Sequence, residues 1–275
     1  MSEETAALLK KALTLSVEER TELAGSRTDS LDSTTDEDVE AAWQEEIARR
    51  MENLRFERAG FTIIRNCLPD ELVFHLRSIL PESQPNTRNA LSIPVIAELA
   101  RSQTIRKWVV PVLGEGCFAV RAILFNKNQN SNWKVAWHQD CVIAVRSRAE
   151  IPGWGPWTLK AGVPHVRPPD AILARMLAIR IHLDDCGADN GPLRMLPGSH
   201  IHGLLSDFAI AALPKNSEIV CATNRGDALL MRPLVVHASS AARSPASRRV
   251  IHIEFASDYL PHGLNWRDEV SGTRP

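Results

Sequence analysis

The 275-residue chain lacks an excess of charge of either sign, a long apolar run and any close pair of cysteines. A net charge of −1 offers no basic footprint for nucleic acid. No apolar run approaches the roughly 18 residues that a membrane span needs, so no membrane partner is expected. The N-terminal stretch MSEETAALLKKAL carries acids early and has neither a continuous apolar segment nor a small-residue cleavage site, unlike a secretory signal. The five cysteines (67, 117, 141, 186, 221) are scattered, odd in number and without CxxC spacing. Free thiols in a reducing cytoplasm are the expectation. What remains, at 44% apolar, is a globular composition long enough for one large domain and an appendage.

The stretch Trp137-His138-Gln139-Asp140-Cys141 stands out. On an extended strand, His138 and Asp140 point to the same face. An imidazole beside a carboxylate supplies two thirds of a facial Fe(II) site, which takes two histidines and one carboxylate and leaves other positions open. The segment from Gly226 to Ser240 reads as a strand ending in His237, the candidate third ligand. His200, in Pro197-Gly198-Ser199-His200, competes for that place, but its turn-forming neighbours suit a structural role.

The stretches WHQD, NGPLRMLPGSH and GDALLMRPLVVHASS…RRVIHIEF resemble the phytanoyl-CoA dioxygenase family, from about Leu54 onward. The resemblance implies a mainly β fold with flanking helices, a double-stranded β-helix of the jelly-roll, cupin-like kind. It implies Fe(II), 2-oxoglutarate as cosubstrate and O2, with His138, Asp140 and His237 as metal ligands and catalytic centre. The implied reaction is hydroxylation of a small organic molecule, with release of succinate and CO2. In related halogenases a small residue replaces the carboxylate ligand, so the presence of Asp140 favours hydroxylation, desaturation or rearrangement over chlorination. By the same resemblance Arg248, eleven residues after His237, anchors the far carboxylate of 2-oxoglutarate, with Ser239 near it. Asn126, Lys127 and Gln139 become further cosubstrate candidates.

Alternation along the strands gives an independent reading. Phe118 to Phe125 is expected as a strand followed by a turn over 126–132, and Val135 to Val145 as one strand carrying both ligands. In Met176–Asp184, Ala178, Arg180 and His182 share a face that looks into the site, making Arg180 and His182 substrate candidates. In the return strand, Arg248, Val250, His252 and Glu254 share the inward face, whereas Arg249 keeps company with Ile251, Ile253 and Phe255. A guanidinium that grips a carboxylate bidentately therefore points to Arg248, and Arg249 reads as a surface residue whose loss is near neutral. Residues 149–170 hold five prolines with Trp154 and Trp157, and are expected to form a loop acting as a lid against substrate.

Residues 1–53 contain no proline and carry two S/T-x-x-E starts, Ser16–Glu19 and Thr34–Glu37. Val39, Trp43, Ile47, Met51 and Leu54 follow as one apolar stripe, which predicts a helical hairpin ahead of the domain at 54–275. SLD and AAWQEEIARR resemble an addiction-module antitoxin component family. That resemblance implies self-association or a toxin-like partner through the hairpin. It also supplies the rival reading, a non-catalytic interaction protein on an oxygenase scaffold.

Overall fold

The computed structural model describes residues 55–243 and 246–272, so the expected helical hairpin lies outside the described residues. The strand β1 (Phe61–Ile64) is followed by helices α1 (Asp70–Ile79), α2 (Pro94–Arg101) and α3 (Gln103–Leu113). Next come β2 (Phe118–Lys127), β3 (Val135–His138), β4 (Ile143–Ala144), β5 (Trp157–Lys160), β6 (Val163–Val166) and a short helix α4 (Asp170–Ala174). The remainder is β7 (Met176–His182), β8 (Leu193–Met195), α5 (Asp207–Ala212), β9 (Ile219–Cys221), β10 (Ala228–Met231), β11 (His237–Ser239), β12 (Arg248–Ala256) and β13 (Val270–Ser271).

The long sheet runs β1-β10-β7-β12-β2-β13, and a four-stranded sheet runs β3-β11-β8-β9, with neighbours antiparallel in both. This is the jelly-roll architecture of a double-stranded β-helix. Strand alternation decides what lies on each side of the long sheet. Ile251, Ile253 and Phe255 of β12 pack with Leu177 and Ile179 of β7 against Val73 and Leu76 of α1, Ile96 and Leu99 of α2, and Ile105 and Val109 of α3. Ile251 and Ile253 are wholly buried, each such side chain contributing about 1.5–3 kcal/mol. On the other side, Ala178, Leu229 and Met231 meet Met195 and Cys221 of the shorter sheet, which closes an interior lined by the polar parity of β2, β7 and β12.

Three expectations need correction. The predicted strand Val135–Val145 is broken: β3 stops at His138, the chain crosses over, and β4 starts at Ile143. The predicted turn over 126–132 begins two residues late, because Asn126 and Lys127 pair with Arg249 and Arg248 at the end of β2. The predicted proline-rich loop holds the hairpin β5–β6, which joins β4 in a three-stranded sheet. Pro164 is accommodated there because its carbonyl accepts from the Val145 N–H at 3.0 Å. The Ala161-Gly162 turn has φ of 48° and 76°, the all-positive geometry that matches the twist of a two-residue hairpin. Among the described residues no helix is long and apolar enough to cross a membrane.

Candidate active site

His138, at the end of β3, lies directly opposite His237, at the start of β11, with ring centroids 4.2 Å apart. Asp140 stands beyond the end of β3, not on it, and is held by its N–H donating to the Pro233 carbonyl at 3.0 Å. From there its Oδ1 lies 3.7 Å from His138 Nε2 and its Oδ2 3.7 Å from His237 Nε2. One ligand atom from each residue falls within 4.8 Å of the others. His237 is buried while His138 and Asp140 are partly exposed, so the group opens to one side.

The far edges of both rings are fixed. His237 Nδ1 is 2.9 Å from the Val235 carbonyl, and His138 Nδ1 is 2.9 Å from the Ala136 carbonyl and 3.1 Å from that of His237. A carbonyl only accepts, so Nδ1 carries the proton and the Nε2 lone pairs face Asp140, as metal-ligating histidines require. Burial pushes His237 down to about 4, against the pull of Asp140, which keeps that imidazole neutral. Burial also weighs against a charged His138, but the hydrogen bond and charge of Asp140 outweigh it and raise its pKa. Burial would raise the Asp140 carboxyl, yet His237, His138 and His252 hold it well below the carboxylate range.

Along the interior from this group lie three buried cations, Lys127, Arg180 and Arg248, and none has a carboxylate partner among the described residues. Arg248 donates only to neutral acceptors, the carbonyls of Gly191 and Asn190 and the thiol of Cys186, and its Nε has no partner. Lys127 Nζ donates to the Ser240 carbonyl at 2.8 Å and sits 5.4 Å from the Trp133 ring. Burial, reinforced by Arg248, lowers its pKa to about 8. Arg180 Nε and His182 Nδ1 are likewise buried without partners. Burial, with Arg180 and Arg248 nearby, holds His182 neutral. Gly191 makes room for this cluster: at φ +60, a Cβ there would stand 2.5 Å from the Ser240 carbonyl and 3.3 Å from Lys127 Nζ. Ser239 shares the face of His237 on β11 and is buried. An unpaired buried charge is costly, and these three cations have no carboxylate counter-charge among the described residues.

Other expected residues sit elsewhere. Asn126 faces away from the interior, and its side-chain amide donates to the carbonyls of Glu82 and Gln84, each at 2.7 Å. Neighbours on a strand alternate, so Lys127 and Asn126 could not both face the cosubstrate. Gln139 ties two loops together instead, donating to Gly203 and Leu234 carbonyls and accepting from the Leu205 N–H at 2.8 Å. Trp154 and Trp157 pack on the apolar cluster that contains Leu173 and Met176. His200 stands apart from that group, its Nε2 3.2 Å from the Glu57 carbonyl. Arg249 is no surface residue: it is buried, with Nε 2.8 Å from Asp184 Oδ2 and a terminal nitrogen 2.7 Å from Oδ1.

One interior residue escaped the sequence reading. Arg121 lies on β2 at the parity of Lys127, and its guanidinium is 3.4 Å from Glu254. Carrying the alternation of β2 back from Lys127 would have found it.

Two antiparallel sheets around an interior with two imidazoles and a carboxylate converging at its mouth define a metal-binding jelly roll. Residues 56–250 match the phytanoyl-CoA dioxygenase family, and the chain belongs to it. Residues 14–61 match a family of addiction module components. Solved structures with the same fold include HygX from Streptomyces hygroscopicus with nickel and 2-oxoglutarate bound (15% identity, TM-score 0.57, covering 77% of this chain and 87% of that one). SnoN, an alpha ketoglutarate dependent epimerase from nogalamycin biosynthesis, is 16% identical with a TM-score of 0.57, covering 84% and 97%. EctD from S. alaskensis is 17% identical with a TM-score of 0.60, covering 81% and 86%. At such identities the likeness is one of fold. No curated protein matches the chain by sequence.

Proposed function

We propose that this chain is an Fe(II)- and 2-oxoglutarate-dependent oxygenase that hydroxylates a small organic molecule. The observation that carries the reading is the placement of a ready metal-ligand set beside a buried cationic cluster that has no carboxylate of its own. His138 and His237 offer Nε2 lone pairs and Asp140 a carboxylate, a donor set suited to Fe(II). Arg248 and Lys127, with the hydroxyl of Ser239, fit the far carboxylate of a dianion such as 2-oxoglutarate. Bound iron and 2-oxoglutarate would supply the oxidising power from O2, leaving succinate and CO2.

The chain's own part is positional. The backbone carbonyls of Val235 and Ala136 keep both imidazoles in the ligating tautomer. Arg248, tethered through Gly191 and Asn190, fixes the direction from which a carboxylate enters. The three converging ligand atoms support the enzyme over the non-catalytic reading, since a scaffold that only binds a partner has no need of them. The test is Fe(II)-dependent conversion of 2-oxoglutarate to succinate by the purified chain, which proceeds uncoupled even with the substrate unidentified.

A further inference from the structure

A cleft of about 480 Å³ is lined by Gly153, Gly155 and Arg167 to Asp170 on the proline-rich segment and by Leu204 to Ser206. Small-molecule sites typically span about 300–1,000 Å³. None of His138, Asp140 and His237 lines it, so it is not the metal site. Its Leu204–Ser206 wall is nonetheless tied to that site, because the Leu205 N–H donates at 2.8 Å to Gln139, the residue between two of the ligands.

Two opposite charges border the cleft, Arg167 and Asp170. Arg167 is half-buried. Its Nε donates to the Gly155 carbonyl at 3.2 Å, while the Gly155 N–H donates to the Arg167 carbonyl at 2.9 Å. The guanidinium is held by one edge, and its two terminal nitrogens have no acceptor among the described residues. The exposed Asp170 carboxylate likewise has no hydrogen-bond or ion-pair partner among them. Gly203 makes room for it: at φ +68, a Cβ there would stand 2.9 Å from Asp170 Oδ2.

The residues between the two charges hold them at a set spacing. Pro168 and Pro169 fix their own φ and keep the residue before each in extended backbone. Pro169 has φ −53° and ψ 146°. Polyproline backbone turns once every three residues and rises about 3.1 Å per residue, so positions 167 and 170 share a face with their backbones roughly 9 Å apart. Leu204 and Leu205, with the two proline rings, supply the apolar part of the lining.

We infer that this cleft binds a small zwitterion with an apolar side chain, an amino acid by chemical class, its carboxylate on Arg167 and its ammonium on Asp170. A guanidinium with free terminal N–H groups matches a carboxylate, and the Asp170 carboxylate matches an ammonium. A ligand with one charge leaves one of the two unmatched, and a phosphate would also meet repulsion from Asp170. The proline spacer sets the charges before the ligand arrives, which lowers the ordering cost of binding. The site needs no metal, so it is independent of the oxygenase reading.

The experiment titrates the full chain at pH 6.5, without added metal, with three compounds of one carbon skeleton by ligand-observed NMR. These are L-leucine, L-leucinamide, which lacks the carboxylate, and 4-methylpentanoate, which lacks the ammonium. Leucine should bind about fivefold more tightly than either, the worth of one partly exposed ion pair. In Arg167→Gln the advantage over leucinamide should vanish and that over 4-methylpentanoate should remain. In Asp170→Asn the reverse should hold. Thermal unfolding checks that each variant folds. Asp170→Asn is isosteric at an exposed position, so it keeps the test decisive should Arg167→Gln, which gives up the Gly155 contact, not fold. No leucine binding by the natural chain, equal binding of all three compounds, or a preference that either folded variant leaves unchanged overturns the assignment.

Discussion

Arg248 and Arg249 are adjacent, alike and buried, yet strand alternation gives them opposite work. Arg248 meets neutral acceptors in the interior, whereas Arg249 forms a two-pronged pair with Asp184 on the helix-covered side. Arg248→Ala should raise the 2-oxoglutarate requirement about tenfold to a hundredfold, the worth of a charge-assisted hydrogen bond, with metal affinity little changed. Arg249→Ala should leave that requirement alone and destabilise the fold by about 1.5–3 kcal/mol, because Asp184 loses its two-pronged partner and keeps only Arg77 at 3.3 Å and the backbone N–H of residue 249. Cosubstrate titration and chemical denaturation of both variants separate the two effects. Parity placed each arginine on its face in the sequence. It could not reveal that the face of Arg249 is buried, since Asp184 lies sixty-five positions away.

Lys127 gives the interior a pH signature. With its pKa near 8, the amine is charged below that value and neutral above it. Binding of a dianion should therefore weaken as pH rises through about 8, and Lys127→Met should flatten that dependence in a 2-oxoglutarate titration from pH 6.5 to 9.5. Stability of the cosubstrate-free chain runs the other way. The folded state releases this proton before the unfolded state does, so stability grows between about 8 and the ordinary 10.5.

At the scale of elements, the strands with clean alternation were legible. β2, β7 and β12 fall close to where hydrophobic periodicity puts them. The crossings between sheets were not, because a chain leaving one sheet for another keeps its β-like composition. Hence 135–145 read as one strand although Asp140 lies between β3 and β4. The histidine–carboxylate pair survives that error, since the Pro233 carbonyl, not strand parity, brings Asp140 back toward the imidazoles. The hairpin β5–β6 was hidden by prolines, which normally argue against a strand interior. In α3, Pro111 lies inside the helix, which runs to Leu113 and packs through the buried side chains of Ile105 and Val109. The crossover itself is tied by Gln139. Gln139→Ala should cost about 1–3 kcal/mol by leaving buried backbone groups unmatched. It should speed hydrogen exchange at Leu205, whose N–H it accepts, without changing the 2-oxoglutarate requirement. A cosubstrate defect with normal exchange would return Gln139 to the site.

Across the whole molecule, residues 53–275 form one compact unit, and every residue of the metal group and the cationic cluster lies within it. We expect a chain beginning at Met51 to fold and bind metal like the full-length protein, measured by thermal unfolding with and without Zn(II). Loss of cooperative unfolding would mean that the Val39, Trp43 and Ile47 stripe belongs to the core. The family resemblance was legible from three motifs. The cationic interior was not, because Lys127, Arg180 and Arg248 come from three strands and become a cluster only when β2, β7 and β12 pair.

The most direct measurement is succinate production from 2-oxoglutarate by the purified chain, with and without Fe(II), in the natural sequence and in His237→Ala. Turnover should require Fe(II) in the natural chain. In His237→Ala it should fall to background while the fold, checked by circular dichroism, is retained, because His237 supplies one of the three converging ligand atoms. Iron-independent turnover, no turnover in the natural chain, or full activity in His237→Ala would contradict the assignment of this site as an iron and 2-oxoglutarate centre.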